Sequence, residues 1–308
     1  MARTIFMGTP KFALPSLQAL AEGSQLLAVV AQPDKPRGRG QALQAPPTAV
    51  WAHARQIPVL QPLRARDEGF LDALRALDLD LIVVAAYGKI LPRALLDLPR
   101  LGCVNVHASL LPRYRGAAPI QWAIARGERE SGVTLMQMDE GLDTGAMLAR
   151  QSIPIAPEDT GGSLTQKLSV LGGELLAAQL AAVLAGWLAP TAQDGAQASL
   201  APKLTRDDAW LDFALPAAVL HDRVRAFQPW PGALLRLTGG CVKVLRTEVV
   251  PGGAGLPGTV LKADHAGLVI GCSQGALRLL EVQPEGKRPM AAGAFVAGHK
   301  VVLGTAVG

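Results

Sequence analysis

Asn105 and His107 stand two residues apart at the end of an apolar run, directly before Ala108-Ser109-Leu110-Leu111-Pro112. On an extended strand, side chains at i and i+2 leave on the same face. A carboxamide and an imidazole are therefore presented together. The proline-closed turn after them is expected to leave backbone N–H and C=O groups free for a polar ligand. A second polar turn, Asp139-Glu140-Gly141-Leu142-Asp143-Thr144-Gly145, can bring a carboxylate to the same place. Asn, His and Asp without a Ser or Cys nucleophile point to direct transfer chemistry. Asn105 can donate to an oxyanion, His107 can donate or relay a proton, and Asp143 can orient the imidazole or take a proton through water. Hydrolysis, deamidation and amine acylation all remain open to such a set.

The elements that must position these groups alternate in type. Apolar runs at Thr4–Met7, Leu26–Ala31, Leu79–Ala86, Cys103–His107 and Val133–Met138 read as buried strands. Helical spacing occurs at Phe12–Leu20, Glu68–Leu77, Ala117–Ala125 and Leu164–Leu184. This order predicts a Rossmann-like, mostly parallel sheet in a three-layer α/β domain. In such a sheet the carboxyl ends of the strands form the ligand crevice, and His107 falls at one of them. Between Leu188 and Leu204 the chain turns polar, with Pro190, Gln193, Asp194, Gly195 and Pro202, as a linker or connecting loop does. Beyond it come a short helix at Pro216–Phe227 and glycine-punctuated apolar runs at Ala233–Leu237, Val242–Val250, Gly258–Leu261, Gly267–Gly271 and Ala276–Val282. Five short strands predict a small β-barrel. The expected division is a domain over 1–189, a linker over 190–205 and a second domain over 206–308.

Composition narrows the function. The 308 residues are 49% hydrophobic, enough for two cores. Cys103, Cys241 and Cys272 show no paired spacing, so neither a disulfide framework nor a zinc knuckle is expected, and a reducing, cytoplasmic compartment fits. The N-terminus runs straight into an apparent first strand, unlike a signal peptide. The apolar stretch Leu175–Leu188 is interrupted by Gln179 and Gly186 and reads as a buried helix. No H-x-H, H-E-x-x-H or C-x-x-C pattern suggests a metal. Gly8-Thr9-Pro10 after the first strand lacks the G-x-G-x-x-G of a dinucleotide site. Net charge is +5 with a pI near 9.3, compatible with a polyanionic partner. In Asp34-Lys35-Pro36-Arg37-Gly38-Arg39-Gly40-Gln41, basic residues alternate with Pro and Gly, so a loop is expected. Arg37 and Arg39 have the planar donors suited to phosphate and base edges.

Three segments carry a resemblance: Met7-Gly8-Thr9-Pro10, Asn105 through Ile120, and Gln137 through Gly145. Together with Arg225-Ala226-Phe227-Gln228-Pro229-Trp230-Pro231-Gly232, they resemble the methionyl-tRNA formyltransferases over most of the chain. The resemblance implies formyl transfer from 10-formyltetrahydrofolate to the α-amine of methionyl initiator tRNA, and makes the second domain's barrel an OB-like one; no metal is expected. Asn105, His107 and Asp143 match the catalytic trio. Ser109, Leu110, Leu111 and Pro112 match the segment lining the folate pocket. Arg39 matches the arginine that inserts near the acceptor end of tRNA, Arg37 shares its basic loop, and Lys203 matches a linker lysine. A monomer, with no membrane association, is expected. Lys11 and Leu211-Asp212-Phe213 depart from the usual pattern without touching the chemistry. The rival readings are a formyl transferase for another amine, such as a nucleotide-sugar or glycinamide nucleotide, a 10-formyltetrahydrofolate hydrolase, and a non-enzymatic RNA-binding protein. The intact trio disfavours the last, and the basic loop with the barrel favours tRNA over the others.

Basic candidates for the tRNA backbone in the second domain are Arg206, Arg223, Arg225, Lys243, Arg246, Lys262, Lys287, Arg288 and Lys300. If they displace counterions, binding of initiator tRNA weakens steeply with salt, with a log–log slope of about −0.7 to −0.9 per phosphate contact. Filter binding across a salt series measures that slope, and a flat line would remove the basic surface from the account.

Overall fold

A computed structural model describes residues 1–37, 42–237, 240–252, 255–299 and 301–307. Its compact units are 1–119 with 131–153 and 165–201, and 120–130 with 154–164 and 202–308. In chain order the strands of the first unit are β1 (Arg3–Gly8), β2 (Gln25–Val30), β3 (Lys35–Arg37), β4 (Ala42–Gln44), β5 (Val59–Leu60), β6 (Leu81–Ala85), β7 (Cys103–His107), β8 (Glu130–Gln137) and β9 (Met147–Pro154). The helices up to residue 185 are α1 (Leu14–Gly23), α2 (Pro47–His53), α3 (Glu68–Arg75), α4 (Arg93–Leu96), α5 (Pro119–Ala125) and α6 (Gly161–Ala185).

Seven strands form one sheet in the order β5-β2-β1-β6-β7-β8-β9. Pairings β1–β2, β1–β6, β2–β5 and β6–β7 are parallel, and β7–β8 is antiparallel. The chain starts mid-sheet at β1, runs outward through β2 and β5, then returns to β6 on the other side. That reversal is the topological switch of an open α/β sheet. Strand β6 is buried at every position, as a central strand covered on both faces must be. Helix α3 buries Phe70, Leu71 and Leu74, one stripe of a 3.6-residue period, into a core with Ile5, Met7, Val30 and Ile82.

Five strands and four helices expected from periodicity occur with small shifts of boundary. The short elements β5, α2 and α4 and the edge strand β9 have no comparable apolar signature. The basic segment departs from the expectation of a pure loop: Lys35, Pro36 and Arg37 pair antiparallel with Gln44, Leu43 and Ala42. A two-stranded ribbon has an outer edge that needs no partner, so Pro36 is tolerated in it. Helix α6 is long and apolar enough to cross a membrane by length and composition, but half of its apolar stretch is buried inside the fold. Leu168, Leu171, Leu175, Leu176 and Leu180 are all covered, and Ser169 Oγ donates to the Phe12 carbonyl at 2.8 Å. It is a core helix here.

The second unit has strands β10 (Ala233–Leu237), β11 (Gly240–Val250), β12 (Val260–Asp264), β13 (Gly267–Gly271), β14 (Ala276–Pro284) and β15 (Met290–Ala291), with helices α7 (Ala217–Ala226) and α8 (Ala292–Gly298). The order is β10-β11-β14-β13-β12, with the two-residue β15 added to β14. The described pairings are antiparallel, and register shifts at Val244/Arg246 and Arg246/Thr247 bend the long β11. Leu220 and Val224 of α7 and Phe295 of α8 close a core with Leu235, Val244, Ile270 and Leu279. In the Phe227–Gly232 segment, Phe227 is buried edge-on to Trp122 at 5.8 Å, and Gln228 Nε2 donates to the Val224 and Leu245 carbonyls. Leu176 is fully buried in α6. Leu176→Ala is expected to cost about 2–5 kcal/mol, measured as a lowered denaturant midpoint with the second unit's near-UV signal unchanged.

Candidate active site

Strand β7 places Asn105 and His107 on one face, as their spacing requires. His107 is buried and Asn105 half-buried. The loop after β8 begins opposite Val104 and folds back, so that Asp143 reaches both side chains. Asp143 Oδ1 accepts a long hydrogen bond from Asn105 Nδ2 at 3.4 Å and lies 3.6 Å from His107 Nδ1. Its other oxygen, Oδ2, accepts the Gly116 N–H at 2.8 Å. The carboxylate thus joins three chain segments, with its side chain 16% exposed.

The imidazole is oriented from its other side. His107 Nε2 lies 3.1 Å from the Tyr114 carbonyl. A carbonyl can only accept, so Nε2 carries the hydrogen and Nδ1 is the nitrogen turned to Asp143. Two residues hold left-handed backbone to make this possible: Tyr114 at φ 62° and Asp143 at φ 53°. Such conformations cost about 1–3 kcal/mol each and persist only where surrounding contacts impose them.

Those contacts are visible. Asp139 Oδ1 accepts from Gly141 N at 3.0 Å and Thr144 Oγ1 at 2.7 Å, closing the acidic turn on itself. A Cβ on Gly145 would run into the Gln137 carbonyl at a distance no side chain tolerates, so only glycine lets this turn lie on β8. In the other turn, Ser109 Oγ donates to Arg113 O at 2.7 Å. Thr134 Oγ1 donates to Ser109 O at 2.7 Å and accepts from Leu111 N at 3.2 Å.

This narrows one expectation from sequence. Many backbone groups of the 108–116 turn are already engaged within the fold. Leu111, Tyr114, Arg115 and Gly116 donate, and Ser109, Arg113, Tyr114 and Arg115 accept, within the fold. Ser109, Leu111 and Pro112 are buried and Leu110 is half-buried. A cavity of about 730 Å³ lies beside the acidic turn, lined by Arg93, Leu96, Met138, Asp139, Glu140 and Gly141 among others; Asn105, His107 and Asp143 do not line it.

The remaining sequence candidates lie elsewhere. Arg37 ends β3, and Arg39 lies outside the described residues. Lys203 is exposed and belongs to the second unit. Of the basic candidates there, Arg225 is tied up: it pairs with Asp222 at 2.8 Å and donates to Asp159 O at 3.0 Å. Lys262 pairs with Asp264 at 2.8 Å. Arg206, Arg246, Lys287 and Arg288 are exposed, and Lys300 lies outside the described residues. Among the described residues, no three His, Cys, Asp or Glu side chains group as metal ligands. Burial pushes the Cys103 thiol up to about 12 and the Cys272 thiol to about 11, so both are inert protonated packing groups. The residues missed from sequence are Gln193 and Ser199, which hold the site's turns from a segment that reads as a connection.

An open α/β sheet with an oriented Asn–His–Asp set is followed by a β-rich unit, and both parts match the formyl transferase family. The formyl transferase family profile matches residues 2–180, and that of its C-terminal domain matches residues 203–300. The methionyl-tRNA formyltransferase of Myxococcus xanthus (strain DK1622) is 52% identical over 303 residues, covering 98% of this chain and 97% of that protein. The one from Geotalea uraniireducens (strain Rf4) is 48% identical over 99% of this chain and 98% of its own length. The chain belongs to the methionyl-tRNA formyltransferase family. In fold it is similar to the N-formyltransferase of Helicobacter canadensis solved with folinic acid and dTDP-3-aminofucose. That likeness has a TM-score of 0.69 and 18% identity over 91% of this chain and 99% of that one. HypX from Aquifex aeolicus in complex with tetrahydrofolic acid is similar at a TM-score of 0.61 and 18% identity, covering 98% of this chain and 48% of that one.

Gly145→Ala should push the acidic turn off the Gln137 carbonyl. The expected result is a lowered thermal midpoint and shifted His107 imidazole resonances, read by calorimetry and NMR. Unmoved His107 signals would mean that the turn does not set the Asp143 position.

Proposed function

We propose that this chain transfers the formyl group of 10-formyltetrahydrofolate to the α-amine of methionyl initiator tRNA, giving N-formylmethionyl-tRNA for translation initiation. The observation that carries this reading is the meeting of Asn105, His107 and Asp143 at one carboxylate oxygen. It occurs in a chain that aligns almost end to end with methionyl-tRNA formyltransferases. The folate donor is supported by the likeness in fold to proteins solved with folinic acid and tetrahydrofolic acid. In this reading residues 1–189 are the catalytic domain, 190–205 the linker and 206–308 the tRNA-binding domain. Ser109 to Pro112 shape the folate side, and Arg37, Arg39 and Lys203 meet the tRNA. The protein works as a cytoplasmic monomer.

The neutral amine attacks the formyl carbon, and the C–N bond to the folate breaks as the nitrogen left behind takes up a proton. Charge develops on the formyl oxygen in between. Asn105 Nδ2 is held only by a long bond at 3.4 Å, so it can turn to that oxygen with little loss. With Nε2–H kept on the Tyr114 carbonyl, a protonated His107 has Nδ1–H left to donate to the same oxygen. Asp143 balances the imidazolium and relays the proton lost by the amine. Its Oδ2, tied to the Gly116 N–H, keeps the carboxylate in place meanwhile.

The test is transfer of labelled formyl from 10-formyltetrahydrofolate to methionyl initiator tRNA, with elongator methionyl-tRNA and free methionine alongside. Strong transfer to the initiator alone is expected, and Asn105→Ala should lower kcat by roughly 10²–10³. Formate release without formylated tRNA would move the protein to a hydrolase. Transfer only to another amine would move it to a different acceptor.

A further inference from the structure

Among the described residues Gln193 hydrogen-bonds to none of the side chains of Asn105, His107 and Asp143, yet every hydrogen-bonding position of its carboxamide is used. Its Oε1 accepts from Arg115 Nε at 3.0 Å and from a terminal guanidinium nitrogen of Arg115 at 2.8 Å. Its Nε2 donates to the carbonyls of Asp143 at 2.8 Å and Gly145 at 2.7 Å. A guanidinium can only donate and a carbonyl can only accept, so the amide can sit in one orientation only. No other side chain of this length both accepts from a cation and donates twice to carbonyls.

The same segment holds the facing turn. Tyr114 N donates to Ser199 Oγ at 2.9 Å, Arg115 N to Ser199 O at 2.8 Å, and Ala201 N to Arg115 O at 2.7 Å. The two left-handed residues, Tyr114 and Asp143, are thus both restrained from residues 193–201. Arg115 closes the loop: its backbone lies on the strap and its guanidinium holds Gln193. Gly116, next in sequence, grips the Asp143 carboxylate.

We propose that Gln193 is a positioning residue for formyl transfer, which locks the Asp143 turn to the Tyr114–Gly116 turn so that the carboxylate stays beside Asn105 and His107. The proposal rests on the function given above. It places part of the active-site machinery in the segment that connects helix α6 to the second unit. It also assigns Arg115 the task of orienting Gln193.

The decisive variant is Gln193→Glu, which keeps the length and strengthens the pairing with Arg115 but sets a carboxylate against two carbonyls. Gln193→Leu removes both halves of the clamp, and Arg115→Met removes the guanidinium while leaving the amide. Steady-state kinetics with 10-formyltetrahydrofolate and methionyl initiator tRNA give one readout. Hydrogen exchange of the 139–147 and 113–117 amides gives another that needs no turnover. For Gln193→Glu and Gln193→Leu, kcat is expected to fall about 10–100-fold with KM for both substrates within about twofold, and exchange in the two turns to rise. Arg115→Met should lie between these and the parent chain. Gln193→Glu with the parent kcat would overturn the proposal, whatever its exchange shows, because the acceptor half alone would then suffice. A rise in KM with kcat unchanged would also overturn it, as would a general loss of exchange protection across the sheet. If the parent chain itself fails to formylate the tRNA, the acceptor assignment falls. Exchange in Gln193→Glu then still decides whether the clamp holds the Asp143 turn.

Discussion

The site depends on the placement of one carboxylate. Asp143 sits at φ 53° and presents its two oxygens to different segments: Oδ1 to Asn105 and His107, Oδ2 to the Gly116 amide. A partly buried carboxylate in a strained turn does not keep its place by itself, because solvation and backbone preference both favour letting it swing out. It stays because the acidic turn is closed by Asp139, seated on β8 through Gly145, and held at its carbonyls by Gln193. Each is a short-range contact, and none comes from the same part of the chain as His107.

That arrangement explains why the active face is built from parts that look unremarkable one by one. Strand β7 is a buried strand in a parallel sheet, and its apolar residues serve the core. Its half-buried Asn105 and its last residue, His107, are turned to the Asp143 carboxylate. The turn after it commits much of its backbone to hydrogen bonds within the fold, which fixes its shape. Preorganisation of this kind is what electrostatic stabilisation of a developing oxyanion requires, since donors that already point the right way need not reorganise during the reaction.

The second unit shows the reverse economy of charge. Several of its basic residues are engaged internally: Arg225 with Asp222 and the Asp159 carbonyl, Lys262 with Asp264, Arg278 with Glu248. The count of basic residues therefore overstates the cationic surface on offer to a polyanion. Lys203, Arg206, Arg246, Lys287 and Arg288 are among those exposed. The cores of the two units are separate clusters of side chains, one around β1 and β6 and one around β11 and β14.

The long apolar runs of the sheet, the helices between them and the change to short β-strands after residue 204 were all legible in the sequence. Their periods of 2 and 3.6 are local properties that follow from which face is buried. The pairing of Asn105 with His107 was legible for the same reason, and the second polar turn offered Asp143, which the likeness of the surrounding motifs also named. Short elements such as β5, α4 and β15 carry too few residues for a period to show. The ribbon at Lys35–Arg37 contradicted its Pro and Gly content because an edge needs no second partner. Tertiary structure alone decided which backbone groups of the turn after His107 are engaged, that Arg225 is paired internally, and that Gln193 and Ser199 bond to the turns of the candidate site. Those facts depend on which distant segments meet, and hydrogen bonds between residues 50 to 85 positions apart leave no spacing in the sequence from which to read them.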